Sequence, residues 1–328
     1  MAQRIILHIG RHKCGSTALQ RFLLRQREWL ATQGFAYPLA GLEDIAHHPI
    51  ARNLENERRP MPWRRHGRQH KDRGIASQQQ MDAFVTALQD APQTSAIVSS
   101  ESFQNCKPKQ VRQFLDKFEV TPVVYLREQA AYLRSAYCQR VHASTYNGTA
   151  QSFANDYFKA DYQAFLQPWL KDFGKELVVR IYEKSQLLND NITDDFVTNI
   201  LKTPSAAPCD SGGDNDTNPS LSLEMLTLKL ELNRRGFEVD HSNYRVLAGM
   251  SRGGTSFRLP LALSHWLREK SKSGNRWVAQ NFFDREDLFG EFEPAQDQDL
   301  ELSQQEFRRR LEALKEQAEG SITAPRQK

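Results

Sequence analysis

Short apolar runs, each followed by a polar or glycine-rich turn, recur through the first half of the chain. Segments in which apolar residues have helical spacing separate these runs. The runs are residues 4–9, 94–99, 121–126 and 176–182, and the helical segments are residues 17–30, 78–88, 109–118 and 129–142. Strands that alternate with helices predict an α/β protein of three layers, with a central, mostly parallel sheet and helices on both faces.

Two further helix signals lie in the last third of the chain. The first covers residues 221–235, begins after Ser220 or Ser222 and stops at Gly236. The second begins at a capping box, in which a serine precedes a glutamate by three residues, and an apolar helix face follows. The residues of this second signal are Ser303, Glu306, Phe307, Leu311 and Leu314.

Two polar segments interrupt the pattern. Residues 52–73 hold eight lysines and arginines against three acidic residues, so this segment is either a solvated loop or a basic lid over an anionic ligand. Residues 204–219 are rich in Pro, Gly, Ser and Asp, which is typical of a loop. We predict one domain over residues 1–290, which includes both segments, and a C-terminal tail with an amphipathic helix over residues 291–328.

Composition narrows the class of protein. Of the 328 residues 39% are apolar, which argues against disorder, and the net charge of +4 does not indicate a nucleic-acid partner. The four cysteines, Cys14, Cys106, Cys138 and Cys209, form no C-x-x-C pair and predict reduced thiols. Since the apolar start is too short for a signal peptide and no segment has the length of a membrane span, we expect a soluble cytoplasmic protein.

The first apolar run ends in a glycine-rich loop that reads GRHKCGST from Gly10. Gly10 and Gly15 have the spacing of a phosphate-binding P-loop, G-x-x-x-x-G-K-[ST], but Ser16 stands where that pattern has lysine. The lysine of this loop is Lys13, three positions earlier. Backbone N–H groups of such a turn, at the start of a helix, bind phosphate oxygens. The strand before the loop and the helix after it favour a phosphate site over an incidental glycine turn.

A kinase or an ATPase would also need a carboxylate at a strand end to hold Mg²⁺. Two predicted strands end in Ser100-Glu101 and Arg127-Glu128, and neither pair supplies an aspartate in the expected form. We therefore expect side chains, rather than a metal ion, to balance the phosphate charge.

Two motifs together resemble the sulfotransferases that use 3′-phosphoadenylyl sulfate (PAPS), especially bacterial members that act on carbohydrates. The run KCGST in HIGRHKCGSTALQ is similar to the 5′-phosphosulfate loop of that family, although Cys14 replaces the more usual threonine or serine. The second motif is an arginine at a strand end with a serine eight residues later, here Arg127 and Ser135 in VVYLREQAAYLRSAYCQRV. The resemblance spans residues 4 to about 290 and implies a P-loop-type fold.

The resemblance implies transfer of a sulfuryl group from PAPS to a hydroxyl or an amine, with adenosine 3′,5′-bisphosphate as product and no metal requirement. Lys13 would stabilise charge on the leaving oxygen, and Ser16 and Thr17 would hold the 5′-phosphate. Arg127 and Ser135 would hold the 3′-phosphate through charge-assisted hydrogen bonds. The loop residues implied to contact the nucleotide are Arg11, His12, Lys13, Cys14, Gly15, Ser16 and Thr17.

In-line transfer also needs a base for the attacking group. Glu101 is the first candidate, because it follows a core strand at the edge where open α/β sheets bind ligands. His47 and His48 are rival candidates, since histidine titrates near neutral pH. Each of the three could instead be an ordinary loop residue.

The acceptor is inferred from family analogy to be a carbohydrate or a glycolipid, and the basic segment would suit an anionic one. Two other functions stay open. One is a P-loop kinase or NTPase, and the other is a protein that binds a nucleotide or a polyanion without catalysis.

Overall fold

Strand β1, Arg4–Ile9, lies in the middle of a parallel sheet of five strands, which we describe from a computed structural model. The other strands are β2 (Phe35–Ala36), β3 (Ser95–Ser100), β4 (Glu119–Leu126) and β5 (Val178–Ile181). Their order is β2-β3-β1-β4-β5, and each neighbouring pair is parallel. Every residue of β1 after Arg4 is buried, so both faces of the sheet are covered. The predicted α/β fold with a parallel central sheet is confirmed.

The structure describes residues 4–55, 74–203, 221–240, 242–290, 298, 300–318 and 320–324. Within them, the α-helices in chain order are α1 (Ser16–Arg25), α2 (Arg27–Thr32), α3 (His48–Leu54), α4 (Gln78–Gln89), α5 (Pro108–Phe114), α6 (Gln129–Ala143), α7 (Ala150–Tyr157), α8 (Tyr162–Phe173), α9 (Ile192–Asp195), α10 (Leu223–Arg234), α11 (Asn243–Met250), α12 (Leu261–Phe282) and α13 (Gln304–Gln317). Two short strands, β6 (Glu238–Val239) and β7 (Ile322–Thr323), form an antiparallel pair.

The chain divides into two units that alternate along the sequence. The first unit takes Met1–Glu128, Asp161–Gly213 and Ser273–Phe289, and it contains the parallel sheet. The second unit takes Gln129–Ala160, Asp214–Lys272 and Gly290–Lys328. The predicted domain over residues 1–290 and C-terminal tail over residues 291–328 stay a prediction.

Helix α1 is attached to the sheet by its apolar face. Leu19, Phe22 and Leu23 are fully buried in one cluster with Ile6 of β1 and Tyr125 of β4. Burial of a side chain of this size contributes about 2 kcal/mol. These contacts fix the position of the helix whose first turn follows the glycine-rich loop.

In the second unit, α10 closes the C-terminal end of α6 with buried polar side chains. Lys229 Nζ donates to the carbonyl oxygen of Ser144 at 2.9 Å, and Asn233 Nδ2 donates to that of Tyr146 at 2.7 Å. Burial lowers the pKa of Lys229 to about 8. Carbonyl groups at a helix end need donors when they are buried, and α10 supplies them.

The helix predicted to begin at Ser303 is confirmed in this unit. Ser303 caps α13 and accepts a hydrogen bond from the backbone N–H of Glu306 at 3.2 Å. Phe307, Leu311 and Leu314 are buried on one face of the helix. For α10, the N-cap is Ser222, whose hydroxyl accepts from the Met225 N–H.

Some of the sequence predictions concern residues that the structure does not describe. Apart from residues 52–55, the basic segment at 52–73 lies outside the described residues, as do the loop at 204–219 and Cys209. The three other cysteines are buried thiols. None of the helices in the described ranges is both long and apolar enough to cross a membrane.

Candidate functional site

The carboxyl ends of four strands meet at one edge of the sheet. The connection that leaves β1 leads toward β2, whereas the connection that leaves β4 leads toward β5 on the opposite side. Open parallel sheets bind ligands at the carboxyl edge where the strand order reverses in this way. The segments that follow β1, β3, β4 and β5 therefore define the candidate site.

The loop after β1 is held in a tight turn by its own backbone. The Gly10 N–H donates to the Ser100 carbonyl at 3.2 Å, and the Cys14 N–H donates to the Arg11 carbonyl at 3.3 Å. Lys13 and Gly15 both have left-handed backbone, with φ of 65° and 75°. For Lys13 this conformation costs about 1 kcal/mol, so contacts with the rest of the protein have to maintain it.

Gly15 is required by packing as well as by conformation. A Cβ atom at this position would lie 2.6 Å from Cε2 of Tyr182 and 3.0 Å from Cδ1 of Ile192. Tyr182 follows β5 and Ile192 begins α9, so two segments close on the loop where α1 begins. The sequence does not mark Ile192 as a site residue, because an isoleucine at a helix start has no motif.

Two loop residues that the resemblance implies as nucleotide contacts have buried side chains. The guanidinium carbon of Arg11 lies 4.6 Å from the ring centre of Phe165 and 5.3 Å from that of Tyr162, both on α8. Cys14 is 1% exposed, and burial raises the pKa of its thiol to about 12. These side chains pack in the interior of the first unit, so we interpret Arg11 and Cys14 as supports of the loop.

The other loop residues differ in exposure. His12 and Thr17 are exposed, Lys13 is half-buried, and Ser16 is buried. The Ser16 hydroxyl donates to the Arg11 carbonyl at 3.3 Å. Lys13, His12 and Thr17 are therefore the loop side chains that an incoming anion can reach most directly.

Glu101 and His48 lie together beside this loop. Glu101 follows β3, and a Cβ atom on Gly10 would lie 2.8 Å from its Cγ. His48 Nε2 lies 3.8 Å from Glu101 Oε2, and His48 Nδ1 lies 2.8 Å from the Ser100 hydroxyl. Burial raises the pKa of Glu101, and hydrogen bonding with the Ser16 hydroxyl opposes that rise. Two of the three candidate bases thus form one carboxylate–imidazole pair.

His47 occupies a different environment from His48. Its ring is fully buried, with Nδ1 accepting from the Ser99 N–H at 3.2 Å and Nε2 donating to the Pro38 carbonyl at 3.0 Å. Burial lowers its pKa to about 4. Because both ring nitrogens are bonded to backbone, the geometry favours Glu101 and His48 as the base.

Arg127 follows β4 and contacts the loop directly. Its Nη1 donates to the Lys13 carbonyl at 2.8 Å, and its guanidinium carbon lies 5.6 Å from the ring centre of Tyr182. Ser135, the predicted partner of Arg127, is half-buried on α6 in the second unit. Their joint contact with a 3′-phosphate stays a prediction.

A buried carboxylate that sequence reasoning missed holds the segment after β5. Asp195 accepts from the Tyr125 hydroxyl at 2.8 Å, from Arg180 Nε at 3.1 Å and from Asn199 Nδ2 at 2.9 Å. Asp195 ends α9, which begins at Ile192, so this network also fixes the wall against Gly15. No local motif marks Asp195, since its tyrosine partner is 70 residues away in the sequence.

Comparisons with protein-family models, with curated proteins and with solved structures return no match for this chain. In the described part of the chain, no group of three or more histidine, cysteine or carboxylate side chains is arranged to hold a metal ion. The chemistry of the site therefore has to be argued from its geometry. That geometry combines a lysine in a glycine-rich turn, a carboxylate–imidazole pair and an arginine.

Two buried histidines predict a loss of stability in acid. His8 lies with Nδ1 2.8 Å from the Ser99 hydroxyl, and burial lowers the pKa of both His8 and His47 from 6.5 to about 4. The unfolded chain therefore takes up these protons at a higher pH than the native protein does. Their stabilising contribution is complete above about pH 6.5 and falls between there and pH 4, by about 3 kcal/mol for each histidine.

Urea unfolding between about pH 7 and pH 5 measures this effect. His47→Asn should flatten the fall of unfolding free energy with pH, because one of the histidine rings with a lowered pKa is gone. His265→Asn, at an exposed position of α12, should leave the slope as it is in the wild type. An unchanged slope in His47→Asn would contradict the prediction.

Proposed function

We propose that this protein is a PAPS-dependent sulfotransferase, which transfers a sulfuryl group to a hydroxyl or an amine of a carbohydrate or a glycolipid. The observation that carries the proposal is the 2.8 Å hydrogen bond from Arg127 to the carbonyl of Lys13. It joins, at the ligand-binding edge of a parallel sheet, the two motifs that resemble this family. These motifs are 114 residues apart in the chain, so their contact is independent support for reading them as one site.

The residues of the loop fit an anionic donor. PAPS supplies the sulfuryl group and leaves as a nucleotide whose 5′-phosphate gains negative charge. Lys13 and the N–H groups of the turn before α1 stabilise that charge where it develops. A guanidinium such as Arg127 can hold a 3′-phosphate through two parallel hydrogen bonds.

The carboxylate–imidazole pair fits the removal of a proton from the acceptor. The raised pKa of Glu101 means that it takes up a proton more readily than an exposed carboxylate. His48, at 3.8 Å, can stabilise the charged form of Glu101 or act as the base itself. We assign the base role to Glu101 and an orienting role to His48.

One observation favours the second candidate function, a kinase or an NTPase. In P-loop nucleotidases, Mg²⁺ is held between the loop serine or threonine and a strand-end carboxylate. Glu101 follows β3 and lies beside Ser16 at the start of α1, since a Cβ atom on Gly10 would lie 2.8 Å from Glu101 Cγ and 2.9 Å from Ser16 Oγ. This pair occupies the corresponding position, although the carboxylate is a glutamate, so Mg-ATP is the alternative ligand to test.

Nucleotide binding separates these functions. We expect adenosine 3′,5′-bisphosphate, with a chelator and no Mg²⁺, to raise the melting temperature. At about one hundred times its Kd it should stabilise the protein by about 2.7 kcal/mol. Stabilisation by Mg-ATP alone would contradict the sulfotransferase proposal. Binding of the bisphosphate, without transfer of labelled sulfate from PAPS to any of a panel of glycans, lipids and alcohols, would favour the protein without catalysis.

Lys13→Asn tests the charge in the loop. Asparagine tolerates a left-handed backbone, so this variant removes the ammonium group without adding strain at φ 65°. We expect sulfuryl transfer to fall by about a hundredfold or more, with no loss of thermal stability. The control is Lys117→Asn, at an exposed lysine just before β4, on the opposite edge of the sheet. Equal activity of the two variants would remove Lys13 from the mechanism.

The base is tested by the pH dependence of kcat/KM. Activity should rise with pH through the raised pKa of Glu101, because the base has to be ionised. Glu101→Gln should lower kcat/KM by about a hundredfold and abolish this rise. His48→Asn should retain the rise and shift its midpoint. Glu28→Gln, at an exposed position of α2, is the control. If the rise survives in Glu101→Gln and disappears in His48→Asn, the base is His48.

A further inference from the structure

We propose that Arg127 is a positioning residue for Lys13, in addition to any contact that its guanidinium makes with a 3′-phosphate. The role assigned to Lys13 rests on the proposed function. The claim about Arg127 concerns the conformation of the loop in the free protein and can be tested without a nucleotide.

The peptide group between Lys13 and Cys14 is held on both sides. Its carbonyl oxygen accepts from Arg127 Nη1 at 2.8 Å, and its N–H donates to the Arg11 carbonyl at 3.3 Å. Both polar groups of this peptide plane are therefore bonded, and the plane determines ψ of Lys13. With φ at 65°, a residue that carries a Cβ has only the left-handed range of ψ open to it. By holding this peptide plane, Arg127 stabilises the left-handed conformation of Lys13, and this conformation sets the direction in which the lysine side chain leaves the turn.

Arg127 also contacts the ring of Tyr182. The guanidinium carbon of Arg127 lies 5.6 Å from the centre of the Tyr182 ring, which is within the range of a cation–π contact. The same ring packs against Gly15, the second left-handed position of the loop. Arg127 thus acts on Lys13 directly and on Gly15 through Tyr182.

Arg127 is itself held in place by backbone hydrogen bonds at the end of β4. The Arg127 carbonyl accepts a hydrogen bond from the Tyr162 hydroxyl of α8. Leu126, the residue before Arg127, is also held, because its carbonyl accepts from the Tyr182 N–H at 2.7 Å. A residue that positions another one has to be held on a rigid element, and the end of β4 meets that requirement.

The chemistry of arginine suits both roles at once. A guanidinium has five N–H donors in a rigid plane, so it can bond a backbone carbonyl on one side and an anion on another. A lysine at this position would keep the charge and lose the planar fork. Removal of Arg127 should therefore impair the site even for ligands that have no 3′-phosphate.

Amide hydrogen exchange in the nucleotide-free protein tests the positional claim. In Arg127→Ala, the amides of residues 10–17 should exchange about tenfold faster than in the wild type, because a hydrogen bond from a charged donor is lost. Arg127→Lys should give an intermediate rate. The matched control is Arg27→Ala, since Arg27 Nε also donates to a backbone carbonyl of the first unit, that of Tyr37 at 3.1 Å. Exchange in this segment that is unchanged in Arg127→Ala overturns the proposal.

Nucleotide affinity separates positioning from a contact with the 3′-phosphate alone. Adenosine 5′-phosphosulfate lacks that phosphate, and its Kd is measured by calorimetry for the wild type, Arg127→Ala and Arg27→Ala. Positioning predicts about a tenfold weaker Kd in Arg127→Ala only, and a wild-type Kd in that variant overturns it. If the wild type binds neither this nucleotide nor adenosine 3′,5′-bisphosphate, the proposed function fails, whereas the exchange rates still decide the role of Arg127.

Discussion

The parallel pairing of β1 with both β3 and β4 is the constraint on which the candidate site depends. In this register Ile9 lies opposite Ser100, and the Gly10 N–H extends the ladder by one more bond to the Ser100 carbonyl. The residues that leave the three strands are therefore neighbours at one edge. Glu101 and Arg127 flank the glycine-rich loop for this reason. Their positions are set by the pairing of the strands, which the burial of apolar side chains maintains.

Behind this edge, buried polar side chains converge on Ser99. Its hydroxyl contacts His8 and Gln20, and its N–H donates to His47, while the next residue, Ser100, contacts His48. A buried hydrogen-bond network of this kind makes the interior rigid, and it orients the residues that follow. The network also makes stability depend on pH, since the buried rings of His8 and His47 have to stay neutral for it to hold.

The sequence predicts the elements and residues whose signals are local. The strands β1, β3, β4 and β5 correspond to the four short apolar runs, and the structure has them within two residues of the predicted bounds. The pattern over residues 17–30 predicts one helix where the structure has two, and β2, with two residues, has no detectable pattern. The difference between His47 and His48 depends on carbonyl and hydroxyl groups of distant residues. Residues 129–160 belong to the second unit. This assignment likewise depends on long-range packing, which the spacing of residues in the sequence does not reveal.

The left-handed backbone of Lys13 carries a consequence for how such a loop can evolve. Glycine or asparagine at this position would relieve the strain, so selection for thermal stability alone would replace the lysine. A lysine in a conformation that disfavours it is consistent with the proposed function, in which its charge at the sheet edge outweighs conformational preference. A library of this protein that is selected only for heat resistance would therefore favour variants without a cation at residue 13, which would be stable proteins that lack the lysine of the proposed anion site.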